Sequence, residues 1–200
     1  MQRRTIARHI ASVALALAIA PIAASAQGAA LSPELQNVRK LLDKYNDPIA
    51  AVYDGFYSSV GCIHYPNGGG EGSMRYAKGA MGVHFLNMGN VGPKLDPAKP
   101  QVLIYEPTAD NKLRLVAAEW FMPAEIAGGT APVIFGQTLG GPMAGHQPVM
   151  PDGLHHYDLH VWLWKTNPEG VFSPTNPAVT CPAGGYSFAE AAPKMVHPNK

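Results

Sequence analysis

Cysteine is scarce in this chain: Cys62 and Cys181 are the only two in 200 residues, and they form no Cys-x-x-Cys pair. That argues against a thiolate-built zinc or iron–sulfur site and leaves imidazole and carboxylate as the ligand chemistry available. An even count points instead to one disulfide, Cys62 with Cys181, in any oxidising compartment. It closes a loop of about 120 residues, which the chain-entropy argument values at roughly 4 to 5 kcal/mol.

Charge is scarce too: 14% of residues are charged and the formal net charge is +1. Long apolar runs are nearly absent. The run from Ile10 to Ala20 is too short to span a bilayer, follows Arg3, Arg4 and Arg8, and precedes the small-x-small triplet Ala24-Ser25-Ala26. Residues 1–26 therefore read as a signal peptide, and the mature protein, starting near Gln27, is expected to be soluble in the periplasm or secreted. Arg3-Arg4 loosely suits twin-arginine export, with Sec export the first reading. Without residues 1–26, twelve basic residues face fourteen acidic ones, a formal charge of −2. No basic patch remains to hold phosphates, so neither nucleic acid nor membrane is an expected partner. A Gly-x-Ser-x-Gly elbow, a phosphate loop and a dinucleotide glycine pattern are also missing, and no residue presents itself as a nucleophile.

What is abundant is glycine and proline, 21 and 19 residues. Ser32-Pro33 is a helix start, followed by Leu35, Val38, Leu41, Leu42 and Tyr45 at helical spacing. Asp47-Pro48 repeats the signal before Ile49, Val52, Tyr53 and Phe56. From Gly61 the texture changes to short apolar runs cut by Gly and Pro, with candidate strands at 82–87, 101–106, 113–122 and 155–165. These features predict an α+β fold: an N-terminal helical pair (33–58) packed on an antiparallel β barrel or sandwich (81–188), together one domain over 27–200.

The segment GLHHYDLHVWLWK, Gly153 to Lys165, carries the strongest chemical signal. Successive strand side chains point to opposite faces, so Tyr157, Leu159, Val161 and Leu163 form an apolar face. His156, Asp158, His160, Trp162 and Trp164 form the other. Tryptophans are mostly buried, so the polar set is expected to line an enclosed pocket. At about 3.3 Å per residue His156 and His160 lie roughly 13 Å apart, too far to share an ion comfortably. A pair two residues apart is therefore expected to ligate, either His156 with Asp158 or Asp158 with His160, the third residue standing behind it.

Other ligands must come from elsewhere. Glu119 is the one polar residue on the face Leu113, Leu115, Ala117, Phe121, and His84 sits in the short run Met81–Phe85. His146 ends a loop that feeds into the histidine strand and is placed to close over the pocket. His64 and His155 read as structural, and His197 as tail. Imidazoles with one carboxylate suit Zn, Fe, Mn or Cu. Met81 beside His84, and Met143 and Met150 beside His146, add thioethers that suit copper.

The blocks MGVHFLN (81–87) and HYDLHVW (156–162), with Gly141-Pro142-Met143 and Cys181, resemble a family of uncharacterised exported bacterial proteins. That resemblance spans most of the mature chain and implies no activity. The His-x-x-x-His strand also looks faintly cupin-like. Cupins, however, place His at both ends of His-x-His with a Glu soon after, whereas here Asp158 stands between the histidines and no Glu follows before Glu169. The expectation is an exported protein holding one transition-metal ion in a pocket lined by His84, Glu119, His156, Asp158 and His160. It would be either a metalloenzyme with a small-molecule ligand, a non-catalytic periplasmic or copper-handling module, or an oligomer-forming structural protein.

Overall fold

The computed structural model describes residues 30–182 and 187–196. The expected signal peptide and His197 lie outside the described residues. The first helix, α1 (Pro33–Leu42), forms as its sequence dictates: Ser32 Oγ accepts from the Leu35 amide at 3.2 Å, and Pro33 occupies the first turn. Leu35, Val38 and Leu42 make one buried stripe. A 3-10 turn over Asp43–Asn46 follows and buries Tyr45.

The second helix of the expected pair is not supported. The helical stretch α2 (Pro48–Tyr53) is capped by Asp47 but runs for only six residues and buries only Ala51. Ile49, Val52 and Tyr53 are 59%, 53% and 86% exposed. The reason is local: Gly55 adopts a left-handed φ of 91° and turns the chain within two residues of Tyr53, so no second apolar turn can form. Phe56 is buried, but in the extended chain beyond that turn.

Among the described residues eleven strands follow: β1 (Tyr57–Tyr65), β2 (Gly69–Glu71), β3 (Met74–Tyr76), β4 (Gly79–Leu86), β5 (Val102–Pro107), β6 (Leu113–Pro123), β7 (Val133–Ile134), β8 (Gln137–Thr138), β9 (Gly140–Met143), β10 (His156–Val161) and β11 (Ser187–Ala189); a short helix, α3 (Ala124–Ala127), follows β6. Seven strands form one sheet in the order β11-β1-β4-β5-β6-β10-β9, antiparallel except for the parallel pair β1–β11. The fold is thus α+β, but the sheet is a curled half-barrel rather than a closed barrel or a two-sheet sandwich. Register shifts in the β1–β4, β5–β6 and β9–β10 pairs mark the bulges that bend it. Strand structure also starts earlier than 81, because β1 lies within the sheet beside β4.

The sheet is apolar on both faces. One face carries Val83, Phe85, Leu103, Tyr105, Trp120, Tyr157, Leu159 and Val161 and packs on α1. The other carries Leu86, Val102, Ile104, Ala117 and Phe121, joined by Met150, Trp162 and Val179. The expected alternation of β10 holds through Val161. Beyond it the strand ends and Trp164 packs with the α1-side cluster, its Nε1 donating to Asp43 Oδ1 at 2.7 Å. Trp164 therefore does not share the histidine face.

Two devices tie the C-terminal segment down. Cys62 and Cys181 form the expected disulfide, with Cα atoms 5.5 Å apart. After β11 at one edge of the sheet, the chain crosses to the other edge: the Glu190 amide donates to His64 O at 2.9 Å, Met195 bridges to Met143 of β9, and the Val196 amide donates to Pro142 O at 2.8 Å. The C-terminal segment thus spans the two sheet edges.

Candidate metal centre

Three central strands, β4, β6 and β10, bring His84, Glu119 and His160 together on the face opposite α1. His160 of β10 is the direct cross-strand partner of Glu119 of β6. His84 of β4 lies one strand further, across β5, whose Val102 opposes Glu119 and whose Ile104 opposes His84. His84 Nε2 and His160 Nε2 stand 3.7 and 3.6 Å from the same atom, Glu119 Oε2. All three residues are 2–4% exposed. Gly82, two residues before His84, has a φ of 116°, and a Cβ there would come within 2.6 Å of Tyr105 O, so glycine is required for β4 to lie this close to β5.

His156 and Asp158 of β10 sit on the same face, with His156 Nε2 3.6 Å from Asp158 Oδ2. His146, from the loop between β9 and β10, joins them, its ring centroid 5.2 Å from that of His156. The ligand atoms of His146, His156 and Asp158 lie within 4.8 Å of one another, as do those of His84, Glu119 and His160. Both trios line one cavity, with Met81, Val149, Met150 and Glu190 completing its wall.

All five residues singled out in the sequence thus meet at one cavity, divided differently from the expectation. His160 does not stand behind an Asp158 pair; it belongs with Glu119 and His84. Two further residues enter. His146 had a signal in its loop, which runs straight into β10. Glu190 had none, since its position follows from the path of the C-terminal segment.

These contacts are not an ordinary hydrogen-bonded network. Separations of 3.6–3.7 Å exceed the 2.7–3.2 Å of an N–H···O bond. Buried side-chain atoms without a hydrogen-bonding protein partner are, among the described residues, His84 Nδ1, Glu119 Oε2, His146 Nε2, His156 Nε2, Asp158 Oδ1, both ring nitrogens of His160, and Glu190 Oε1. Every one belongs to this cluster, whereas native proteins leave few such atoms unpaired. Glu106 provides the contrast. It is equally buried, yet Lys165 Nζ donates to both its oxygens at 2.7 Å and the Thr180 amide adds a third bond at 3.1 Å. The fold satisfies a buried carboxylate where nothing else is to do so.

The spacing fits a cation. Two ligands on a tetrahedral ion with bonds of about 2.0–2.1 Å lie roughly 3.3–3.4 Å apart, close to the distances within the cluster. Electrostatics agree. Burial pushes the His84 imidazole down to about 3, helped by His160 and His146, and pushes His160 down to about 4. Both are therefore neutral at pH 7 and present lone pairs. Burial also raises the Glu119 carboxyl well above its usual range, with the charge of Asp158 adding to the effect. Burial would raise Asp158 too, but contact with His156 and the surrounding imidazoles outweighs it and keeps Asp158 low. Neutral imidazoles with free lone pairs stand beside carboxylate oxygens, the donor chemistry that a metal ion requires.

The cavity itself measures about 20 Å³, room for small ions or a water but for no organic molecule. A much larger cavity, about 530 Å³, opens beside Val83 and Phe85, the β4 residues that alternate with His84. It is apolar, with Lys112 the one charged residue in its described lining, so its size does not mark the chemistry. The buried His and carboxylate groups are placed to hold a metal ion. In comparisons with known proteins, no family model, no curated protein and no solved structure matches the chain.

Proposed function

We propose that the chain is an exported metal-binding protein in which His84, Glu119 and His160 hold a divalent transition-metal ion. The observation that carries this reading is the convergence of His84 Nε2 and His160 Nε2 on Glu119 Oε2 at ligand-to-ligand spacing, with His160 Nε2 and Glu119 Oε2 both buried and without a protein hydrogen-bond partner. Two imidazoles and one carboxylate suit Zn, Fe or Mn. When bound, such an ion supplies Lewis acidity and neutralises the buried Glu119 charge; the protein's own contribution is a dry, fixed donor set. The signal peptide read in residues 1–26 and the Cys62–Cys181 disulfide support an oxidising destination. Among the described residues no helix is long and apolar enough to cross a membrane.

A closed site with ligands this buried favours holding an ion over turning over an organic substrate, whose open coordination position would need more than about 20 Å³. Burial within one chain likewise counts against a subunit contact built from these histidines. Copper is a second reading, supported by Met81 and Met150 in the same cavity wall. Met143 adds nothing to it, because Met143 Sδ already accepts from Tyr76 Oη at 3.6 Å. Elemental analysis of untagged protein is the test. We expect a transition metal in the wild type and its loss from this position in His84→Ala and His160→Ala; a wild type without metal above background would end the proposal.

A further inference from the structure

We infer that the cavity holds a second metal ion, bound by His146, His156 and Asp158 and backed by Glu190; the inference rests on the metal reading above and extends it to a paired centre. The donors form two trios, each with its ligand atoms within 4.8 Å of one another, and not a single set of six. Donors on opposite sides of one ion with bonds of about 2.0–2.2 Å lie at most roughly 4.4 Å apart, so one ion cannot serve both trios. They are nonetheless neighbours. Asp158 and His160 are two residues apart on one strand face, and all six residues line the same cavity.

The second trio carries its own signs of a ligand. His156 Nδ1 lies 3.2 Å from Leu154 O and donates to it, which fixes the tautomer and leaves the Nε2 lone pair facing Asp158. That Nε2 and Asp158 Oδ1 are buried and have no protein partner, on residues 0% and 3% exposed. His146 is arranged in the same manner. Its Nδ1 faces Glu190 Oε2 at 3.7 Å, while its Nε2 is buried and unpartnered. Glu190 is in turn held by Tyr65 Oη, which donates to Oε2 at 2.8 Å. A carboxylate behind an imidazole whose other nitrogen is free orients metal-bound histidines; at 3.7 Å Glu190 does so as a neighbouring charge and not through a hydrogen bond. Glu190 is thus a positioning residue for His146, and the ligand class is a divalent first-row ion such as Zn²⁺ or Mn²⁺.

The stoichiometry of untagged, disulfide-intact protein decides the matter, with chelated protein titrated by Zn²⁺ alone and by Mn²⁺ alone in a calorimeter and checked by elemental analysis. The expected result is two ions per chain in the wild type and one in both His146→Ala and Asp158→Asn, with His84→Ala losing the other. Should a variant fail to fold, the wild type still answers: two Mn²⁺ ions in one cavity couple magnetically, so the loaded protein gives an altered paramagnetic resonance spectrum rather than that of an isolated ion. One ion per chain with an uncoupled spectrum overturns the second site and leaves the His84–Glu119–His160 reading standing. No bound ion removes both, and two ions retained in His146→Ala and Asp158→Asn overturn the assignment of the second trio.

Discussion

The two trios differ in how their residues are held. His84, Glu119 and His160 lie on β4, β6 and β10, and every one of those strands has a neighbour on both sides. The second trio takes His156 and Asp158 from β10 where it meets the irregular edge strand β9, and takes His146 from a loop. Around His146 that loop is held by bonds within itself, from the Gly145 amide to Asp152 O at 3.1 Å and from the Met150 amide to His146 O at 2.6 Å, and by one from the Ala144 amide to Lys194 O of the C-terminal segment at 2.9 Å. Its companion Glu190 belongs to the C-terminal segment. A donor set on paired strands is preorganised, so little ordering is left for the ion to impose; one completed by a loop and a tail must be ordered partly by binding. The same sheet therefore presents a firm site and a looser one side by side.

The sharpest way to break this difference is through the disulfide. Cys62 sits on β1 opposite Ser187 of β11, and its bond to Cys181 anchors the segment that carries Glu190. Replacing both, Cys62→Ala with Cys181→Ala, should lower stability by roughly 4–5 kcal/mol on the loop-entropy argument. Denaturant unfolding measures that cost. Metal titration of the folded fraction should show the His146 site weakened far more than the Glu119 site, and equal weakening would show that the C-terminal segment supports neither preferentially.

Chelation should separate the trios in time. Removing ions held at about a thousand times their dissociation constant costs roughly 4 kcal/mol of apparent stability per site. At about 2–4 °C per kcal/mol for a domain of this size, the melting temperature should fall by roughly 8–16 °C for each ion lost. We expect two phases on adding chelator, the first removing the ion of the loop-assisted trio. A single phase, with both ions leaving together, would mean that the trios are equally firm. Lys165→Ala is the control. It strips the partner from buried Glu106 and should cost about 3 kcal/mol whether or not metal is present.

The residues of both trios could be singled out in the sequence, but neither their division into two sets nor Glu190 behind His146 could be. Strict alternation in His156–Val161 announced a strand with an apolar and a polar face, and Glu119 stood out as the polar member of an otherwise apolar face. Register could not be read. Pairing His160 with Glu119 follows from the β6–β10 alignment, and a slip of one residue would have turned the imidazoles to the α1 side. β1 was hidden because Ser58, Gly61 and His64 interrupt its apolar pattern, so the sheet seemed to start later than it does. Helix signals misled at α2, where Asp47-Pro48 is a true cap but Gly55 stops the chain before a second face can form. Glu190 lies in a segment without periodicity whose place is set by contacts with His64 and β9, on the far side of the fold in sequence.

The smallest predicted effect tests Glu190 itself. Glu190→Gln keeps the shape of the side chain and an oxygen for Tyr65 Oη, but removes the charge facing His146 Nδ1. If Glu190 orients His146, affinity at the second site should fall by about 10–100-fold, the usual cost of losing such a partner. Affinity at the first site should not change, because Glu190 touches none of His84, Glu119 or His160. Tyr65→Phe acts one step further away. It deletes the 2.8 Å bond to Glu190, worth about 1.5–3 kcal/mol with a charged acceptor, and only part of that loss reaches His146, so its effect on the second ion should stay below that of Glu190→Gln. Calorimetric titration of both variants reads the two sites at once, and a Tyr65→Phe effect larger than that of Glu190→Gln would place the phenol, not the carboxylate, behind His146.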